Sequence, residues 1–298
     1  MEESRCLVIT CGFFGDILFA TSLADKLKSE QGFDVVDYLI GFPQVYRLVQ
    51  NNKAIDNVYL STNPSAYPTN NSIDQTQYKK VVTLQPLQFQ VPPAYEQQQL
   101  AGIKNPSPVY HVHSEPEYDK VAKAYIEELR HGGKRVIALM SNWQPKTYIF
   151  TPEQYIAGID VPNLGYGGSH RDIPSIVQKL QEHFILLEVG VPPQYDQHST
   201  ATLEDNDKKS LLFEASLMKF CDAFVGTDGG LATIAAGVGT KTIITGDFNL
   251  QLYGWNGVIK KIKQPRLGPY EYFGNPHIVL DPYFSDEQLT QAIINNLT

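Results

Sequence analysis

Residues 225–247 read VGTDGGLATIAAGVGTKTIITGD. A β-branched, apolar run ends at Thr227 and Asp228, two glycines follow, and a helix of small residues begins at once. Strand, tight turn and helix in that order form the repeating unit of a parallel α/β sheet. The free N–H groups at such a helix start, backed by the helix dipole, make an anion site at the carboxyl end of the strand. A phosphate or pyrophosphate suits it, with Thr227, Asp228, Gly229 and Gly230 around the anion and Thr233 one helical turn further on. The plainer reading is a tight turn with Asp228 as the helix cap.

The same rhythm runs outward in both directions. Strands are expected at 134–140, 184–190, 223–228 and 241–247, and helices at 174–182, 209–220 and 229–236. A closing helix at 285–296 opens with an N-cap serine and acids in its first turn. Toward the N-terminus, RCLVIT (Arg5 to Thr10) is a strand that leads through Gly12 and Gly15 into an amphipathic helix. Ile17, Leu18, Ala20, Leu23, Ala24 and Leu27 cover one face of that helix. Strands at 35–40, 57–60 and 80–84, a helix near 44–50 and an irregular, turn-rich excursion at 85–108 follow. A helix at 117–130 stops at His131-Gly132-Gly133. Two α/β domains with a cleft between them follow from this pattern, residues 1–131 and 132–298, and the last helix has the reach to pack back on the first domain.

Composition sets the outer bounds. The chain has 298 residues, 42% of them hydrophobic and spread along its length, enough to bury cores for two domains. A formal charge of −8 argues against a broad nucleic-acid surface, where Lys and Arg must neutralise phosphates, while leaving room for a local anion site. Cys6, Cys11 and Cys221 form no C-x-x-C pair and read as reduced core residues. The start MEESRC has no signal-peptide pattern and no run approaches a membrane span, so the expected location is cytoplasmic, with at most peripheral membrane contact.

A second group of polar residues stands at the end of another strand. SNWQPKTYIFTPEQY (Ser141 to Tyr155) begins where VIALM ends, which places Ser141, Asn142 and Lys146 on the same sheet edge as Asp228. Lys146 can then reach an anion held by the Gly229 helix, although a loop lysine taken alone is usually only solvated. Asp16, at the Gly15 turn, is either the N-cap of its helix or a carboxylate facing the cleft and suited to general-base work.

Taken together, these segments resemble glycosyltransferase family 9, the bacterial heptosyltransferases and their relatives. GFFGDILFATSLADKLK is similar to that family's glycine-aspartate loop. FVGTDGGLATIAAGVGTKTIITGD is similar to its D-[ST]-G-x-x-H-x-A-A-x-G segment, and SNWQPKTYIFTPEQY to its segment of a lysine before Trp-Pro, with two extra residues between Lys146 and Pro152. LYGWNG (Leu252 to Gly257) sits where the family often carries an aromatic-glycine loop. The resemblance implies the GT-B fold: two Rossmann-like α/β/α domains facing each other across a cleft, with the acceptor held by the first and a nucleotide-sugar donor by the second.

By the same resemblance Asp16 is the general base of an inverting, metal-independent transfer, and Lys146 neutralises the departing diphosphate. The resemblance also implies that Asp228, Gly229 and Gly230 hold the pyrophosphate. Ser141, Asn142, Thr227, Thr233 and Glu188 are assigned to the same donor site from their positions, Gly15 joins Asp16 on the acceptor side, and His113 is a candidate there whose plainer reading is a surface histidine. No cofactor beyond the donor substrate is implied. Heptose transfer to a lipopolysaccharide core is the leading case. Thr233 replaces the family's histidine, and Glu188 is only a weak match for its ribose-binding acid. A degenerate GT-B domain that binds without catalysis, or a nucleotide-sugar epimerase or hydrolase, therefore stays open.

The remaining candidates are weaker. The D-x-D pattern in Glu204 to Asp207 reads better as solvated or capping acids than as metal ligands, and the histidines lack metal-ligand spacing. Aromatic residues between Pro64 and Tyr110 suit a sugar-acceptor surface or the packing of a long loop. The first turn lacks G-x-G-x-x-G, which disfavours a dinucleotide-binding oxidoreductase.

Overall fold

A computed structural model describes residues 3–63, 65–85, 87, 91–140, 172–190, 211–227, 229–245, 252–253, 260–261, 277–280 and 284–298. The first unit alternates β1 (Arg5–Ile9), α1 (Phe14–Ala20), α2 (Leu23–Gln31), β2 (Val35–Ile40), α3 (Tyr46–Gln50), β3 (Asn57–Leu60) and β4 (Lys80–Thr83). Then come α4 (Pro93–Leu100) and α5 (Pro116–Leu129). Its sheet is parallel in the order β3-β2-β1-β4. β1 carries buried Cys6, Leu7 and Val8 on consecutive positions, as a strand covered on both faces must.

The second unit comprises β5 (Val136–Leu139), α6 (Ile173–His183), β6 (Ile185–Glu188), α7 (Leu211–Phe220), β7 (Ala223–Gly226), α8 (Gly230–Gly237) and β8 (Thr242–Ile244). The short antiparallel pair β9 (Leu252–Tyr253) and β10 (Lys260–Lys261) follows, then β11 (His277–Val279) and α9 (Asp286–Leu297). Its main sheet is parallel in the order β11-β8-β7-β5-β6.

Both strand orders define a crevice. In the first sheet the chain runs from β1 outward to β3 and returns on the other side of β1 as β4. In the second it leaves β5 for β6 and returns on the other side as β7. These reversals are topological switch points, where open α/β sheets bind ligands beyond the carboxyl ends of their strands. They lie after β1, at the Gly12 turn, and between β5 and β7, at Met140 and Thr227.

Three details depart from the sequence pattern. The first helix is broken at Thr21 and Ser22, whose hydroxyls donate to the Leu18 and Phe19 carbonyls at 2.7 and 2.8 Å and compete with the helical ladder. The excursion at 85–108 contains a helix, α4, whose buried face includes polar Gln97 and Gln98 and so shows little apolar periodicity. Gln98 instead secures it by hydrogen bonds to Ser22 and Ser107. Among the described residues the closing helix α9 packs on α6 rather than back on the first unit. Leu289, Ile293 and Leu297 share a buried cluster with Ile176, Leu180 and Ile243, and the Arg135 and Lys241 side chains donate to its last carbonyls, where cations complement the helix dipole.

The two units meet through a continuous apolar core running from Val8 and Leu18 through Tyr110 and Ile126 to Phe213, Phe224 and Ile234. Helix α5 lies against α7, with Tyr118 edge-on to Phe213 at 5.6 Å and Asp119 paired to Lys219 at 2.6 Å.

Candidate functional site

The first turn is built around Gly12. Its φ of 99° is the left-handed region, and a methyl group there would stand 2.3 Å from Asp16 Oδ2. Only glycine fits both conditions. The Gly12 amide donates to the Ala66 carbonyl at 2.8 Å, and α1 begins two residues later. Asp16 is half-buried, and its Oδ2 accepts the Phe13 amide at 2.7 Å, which caps the helix from within its first turn. Its carbonyl accepts from Gln97 Nε2 at 2.9 Å. The carboxylate is therefore held beside the first switch point by this bond, from the third position of α1 rather than from the N-cap, which is Phe13. Burial, and then the Asp16 charge, push the thiol of neighbouring Cys11 up to about 11, which disfavours its thiolate.

The second turn leaves β7 at Gly226. Thr227 is buried, and Gly229 has φ 153° and ψ −169°, a region that is essentially glycine's own. Helix α8 then starts at Gly230. Its first hydrogen bond closes from the Thr233 amide to the Gly229 carbonyl at 3.0 Å, so the amides of Gly230, Leu231 and Ala232 have no acceptor within the helix. β5 pairs with β7 in the register Leu139 to Val225, which brings Met140 alongside this turn. Ser141, Asn142, Lys146 and Asp228 lie outside the described residues, as do Glu204 to Asp207.

The two turns are packed against each other. A methyl group at Gly15 would lie 3.0 Å from Thr233 Oγ1, and one at Gly230 would lie 3.4 Å from the Phe14 Cβ. At Gly15 the missing side chain is what lets the start of α1 approach α8 so closely, while at Gly230 a methyl group would make ordinary van der Waals contact. Tyr110 supports the contact, donating its hydroxyl to the Thr233 carbonyl at 2.6 Å while packing edge-on to Phe19 at 4.9 Å. Thr233 is 2% exposed, and its hydroxyl donates to the Gly229 carbonyl at 3.1 Å. It therefore spends its hydrogen inside the helix and offers its oxygen side to Gly15.

Glu188 ends β6 and is buried next to the end of β5. Two residues on, the Gly190 amide donates at 2.9 Å to the Oε1 of Glu214, a carboxyl from α7 that the sequence reading passed over inside the apolar run LLFEASLM. Burial pushes Glu214 up to about 7, against the opposing effect of the Gly190 hydrogen bond. An acid on the buried face of an apolar helix was the available signal.

His113 is not brought to the paired turns. With His111, Lys219, Val238 and Gly239 it lines a recess of about 230 Å³ at the far end of α8, roughly 10 Å along the helix from Gly230. Burial, and then His111, hold its imidazole below the ordinary range. Among the described residues no group of three His, Cys, Asp or Glu side chains is placed to hold a metal ion, and no helix is long and apolar enough to cross a membrane.

No family model matches the sequence, and no curated protein sequence does. Solved structures do match in fold. A glycosyl transferase family 9 protein from Veillonella parvula aligns over 100% of this chain and 98% of its own, with TM-score 0.58 and 14% identity. The E. coli ADP-heptose lipopolysaccharide heptosyltransferase II aligns over 98% of each chain, with TM-score 0.54 and 11% identity. The dodecameric iron-containing heptosyltransferase TibC, in complex with ADP-D-β-D-heptose, aligns over 99% of this chain and 76% of its own, with TM-score 0.55 and 10% identity. The two facing parallel sheets are those of the GT-B fold.

Proposed function

We propose that the chain is an inverting, metal-independent glycosyltransferase that moves a sugar from a nucleotide-sugar donor to a saccharide or glycolipid acceptor. The observation that carries this reading is the direct packing of the Asp16 turn on the Gly229–Gly230 helix start, each at the switch point of its own sheet. On this reading the carboxylate that takes the proton belongs to the turn that packs on the helix start that holds the diphosphate. In the reaction the acceptor hydroxyl gives its proton to Asp16 as its oxygen attacks the anomeric carbon. The bond from that carbon to the diphosphate breaks, and the electron pair leaves with the nucleoside diphosphate. The free amides of α8, with Lys146, Ser141 and Asn142 from the neighbouring strand end, stabilise the charge that develops there. Asp228 fixes donors around the phosphates rather than touching them, and Glu188 lines the donor side.

In this scheme residues 1–131 form the acceptor unit and 132–298 the donor unit. The neighbours in fold include enzymes named for ADP-heptose, which makes ADP-heptose the first donor to test and a lipopolysaccharide core the first acceptor. The setting is cytoplasmic, with peripheral contact where a glycolipid acceptor sits in a membrane. A non-catalytic GT-B domain is the second reading, favoured by the burial of Thr233 and the use of its hydroxyl within the helix.

An ADP-release assay with ADP-heptose, with and without core saccharide and in excess EDTA, separates these possibilities. Acceptor-dependent release that persists in EDTA is expected. Release without acceptor would point to a hydrolase or epimerase, binding without release to the degenerate domain, and activity restored only by added metal would overturn metal independence.

A further inference from the structure

Phe13 is out of place for a side chain of its kind. It is 66% exposed, although it belongs to the turn that carries Asp16 and donates its own amide to that carboxylate at 2.7 Å. Its ring is not loose: it stacks on Phe42 at 5.6 Å between centroids and 25° between planes, and Phe42 is held in turn by an edge contact from Phe14 at 5.5 Å. One face of Phe13 is thus occupied and the other is presented to solvent at the mouth of the first crevice. Phe14 continues the wall to the start of α8, with its Cβ 3.4 Å from where a side chain at Gly230 would begin.

Among the described residues the large apolar side chains exposed in this way include two aromatics, Phe13 and Tyr67, and both flank the same turn. Tyr67 follows Ala66, whose carbonyl accepts the Gly12 amide. Leaving an aromatic ring in water forgoes burial, and here the exposed ring is stacked on Phe42 and belongs to the residue whose own amide binds the Asp16 carboxylate, which suits a contact surface. The chemistry of the pair narrows the occupant. A flat apolar face next to a proton acceptor matches a pyranose ring, which has a C–H face to lie on the aromatic and hydroxyls at its edge to meet the carboxylate.

We propose that Phe13, backed by Phe42, is the stacking platform of the acceptor subsite: the C–H face of an acceptor sugar lies on Phe13 and directs one ring hydroxyl to Asp16. This rests on the glycosyltransferase reading and adds the acceptor's position and class. An acyl chain would use the aromatic face and ignore the carboxylate.

Saturation-transfer NMR on the full chain tests it, with the methyl glycosides of glucose, mannose and L-glycero-D-manno-heptose as sugar probes and octanol as the acyl probe. The expected result is saturation concentrated on the C–H protons of one face of at least one glycoside. It should weaken about 3–10-fold in Phe13→Ala, the scale of one aromatic stacking contact, and persist in Phe13→Trp. No glycoside signal in the wild type, a signal indifferent to Phe13→Ala, or saturation of octanol alone would overturn the platform. Phe13 is exposed, so the alanine variant keeps its core, and its affinity for ADP by calorimetry should equal that of the wild type. A platform that fails while ADP still binds removes this inference only; a wild-type chain that binds no ADP removes the transferase reading itself.

Discussion

Replacing Glu214 by glutamine should abolish a pH dependence built into the second unit. Glu214 is 1% exposed in α7 and accepts the Gly190 amide at 2.9 Å. Desolvation raises its folded-state value from 4.5 to about 7. The folded chain therefore holds this proton more tightly than the unfolded chain does. Stability from this source is complete below 4.5, falls as pH rises toward 7, and is constant above. At about 1.4 kcal/mol per pH unit, the distance between the two values corresponds to a loss of about 3 kcal/mol. Glutamine keeps a carbonyl oxygen for the Gly190 amide and cannot ionise. Its extra N–H adds an offset that does not vary with pH, so the slope is the diagnostic. Urea unfolding of both proteins at pH 5, 6, 7 and 8 should show Glu214→Gln gaining on the wild type by about 2.5 kcal/mol across the series, most of the full loss. Parallel stability curves would mean that Glu214 is solvated, or ion-paired, in the folded protein and that its placement beside Gly190 is wrong.

Two further experiments examine the site itself. Gly15→Ala places a methyl group 3.0 Å from Thr233 Oγ1 and should cost about 1–3 kcal/mol of stability. In a Thr233→Ala background the cost should fall by about 1 kcal/mol, a coupling that a double-mutant cycle by thermal unfolding reads directly; additive effects would mean that the two turns do not touch. Lys146→Ala should weaken nucleoside diphosphate binding by about 1.5–3 kcal/mol in calorimetric titration, and unchanged affinity would remove Lys146 from the donor site.

How much of this could be read in the chain depends on the range of the forces involved. The turns at Gly12 and Gly229 were legible because strand, glycine and small-residue helix follow one another within a few residues, and local backbone sterics dictate that order. The alternation of strand and helix made the parallel α/β sheets legible as well, whereas the strand orders and their switch points are set by long-range pairing that no local pattern encodes. The break between α1 and α2 was hidden because Thr21 and Ser22 interrupt the helix through hydroxyl bonds to its own carbonyls, while the apolar periodicity continues across the gap. α4 was hidden for the opposite reason, since amide side chains occupy its buried face. Glu214 passed as a core position because its neighbours are apolar, and a loop histidine such as His113 carries no local signal that separates the cleft from the surface. Least legible was the meeting of Gly15 with Thr233, more than two hundred residues apart, which depends on the absence of a side chain at Gly15 and leaves no periodic trace.

The central claim is that Asp16 takes a proton at the meeting of the two turns, and Asp16→Asn tests it most directly. Asparagine retains a side-chain oxygen to accept the Phe13 amide, so the helix cap and the fold should survive while the basicity is lost. With ADP-heptose as donor and a core saccharide as acceptor, kcat should fall by about 10²–10⁴-fold, with ADP affinity unchanged by calorimetry. Turnover close to that of the wild type in a folded Asp16→Asn protein would contradict the account and leave Asp16 as a helix cap.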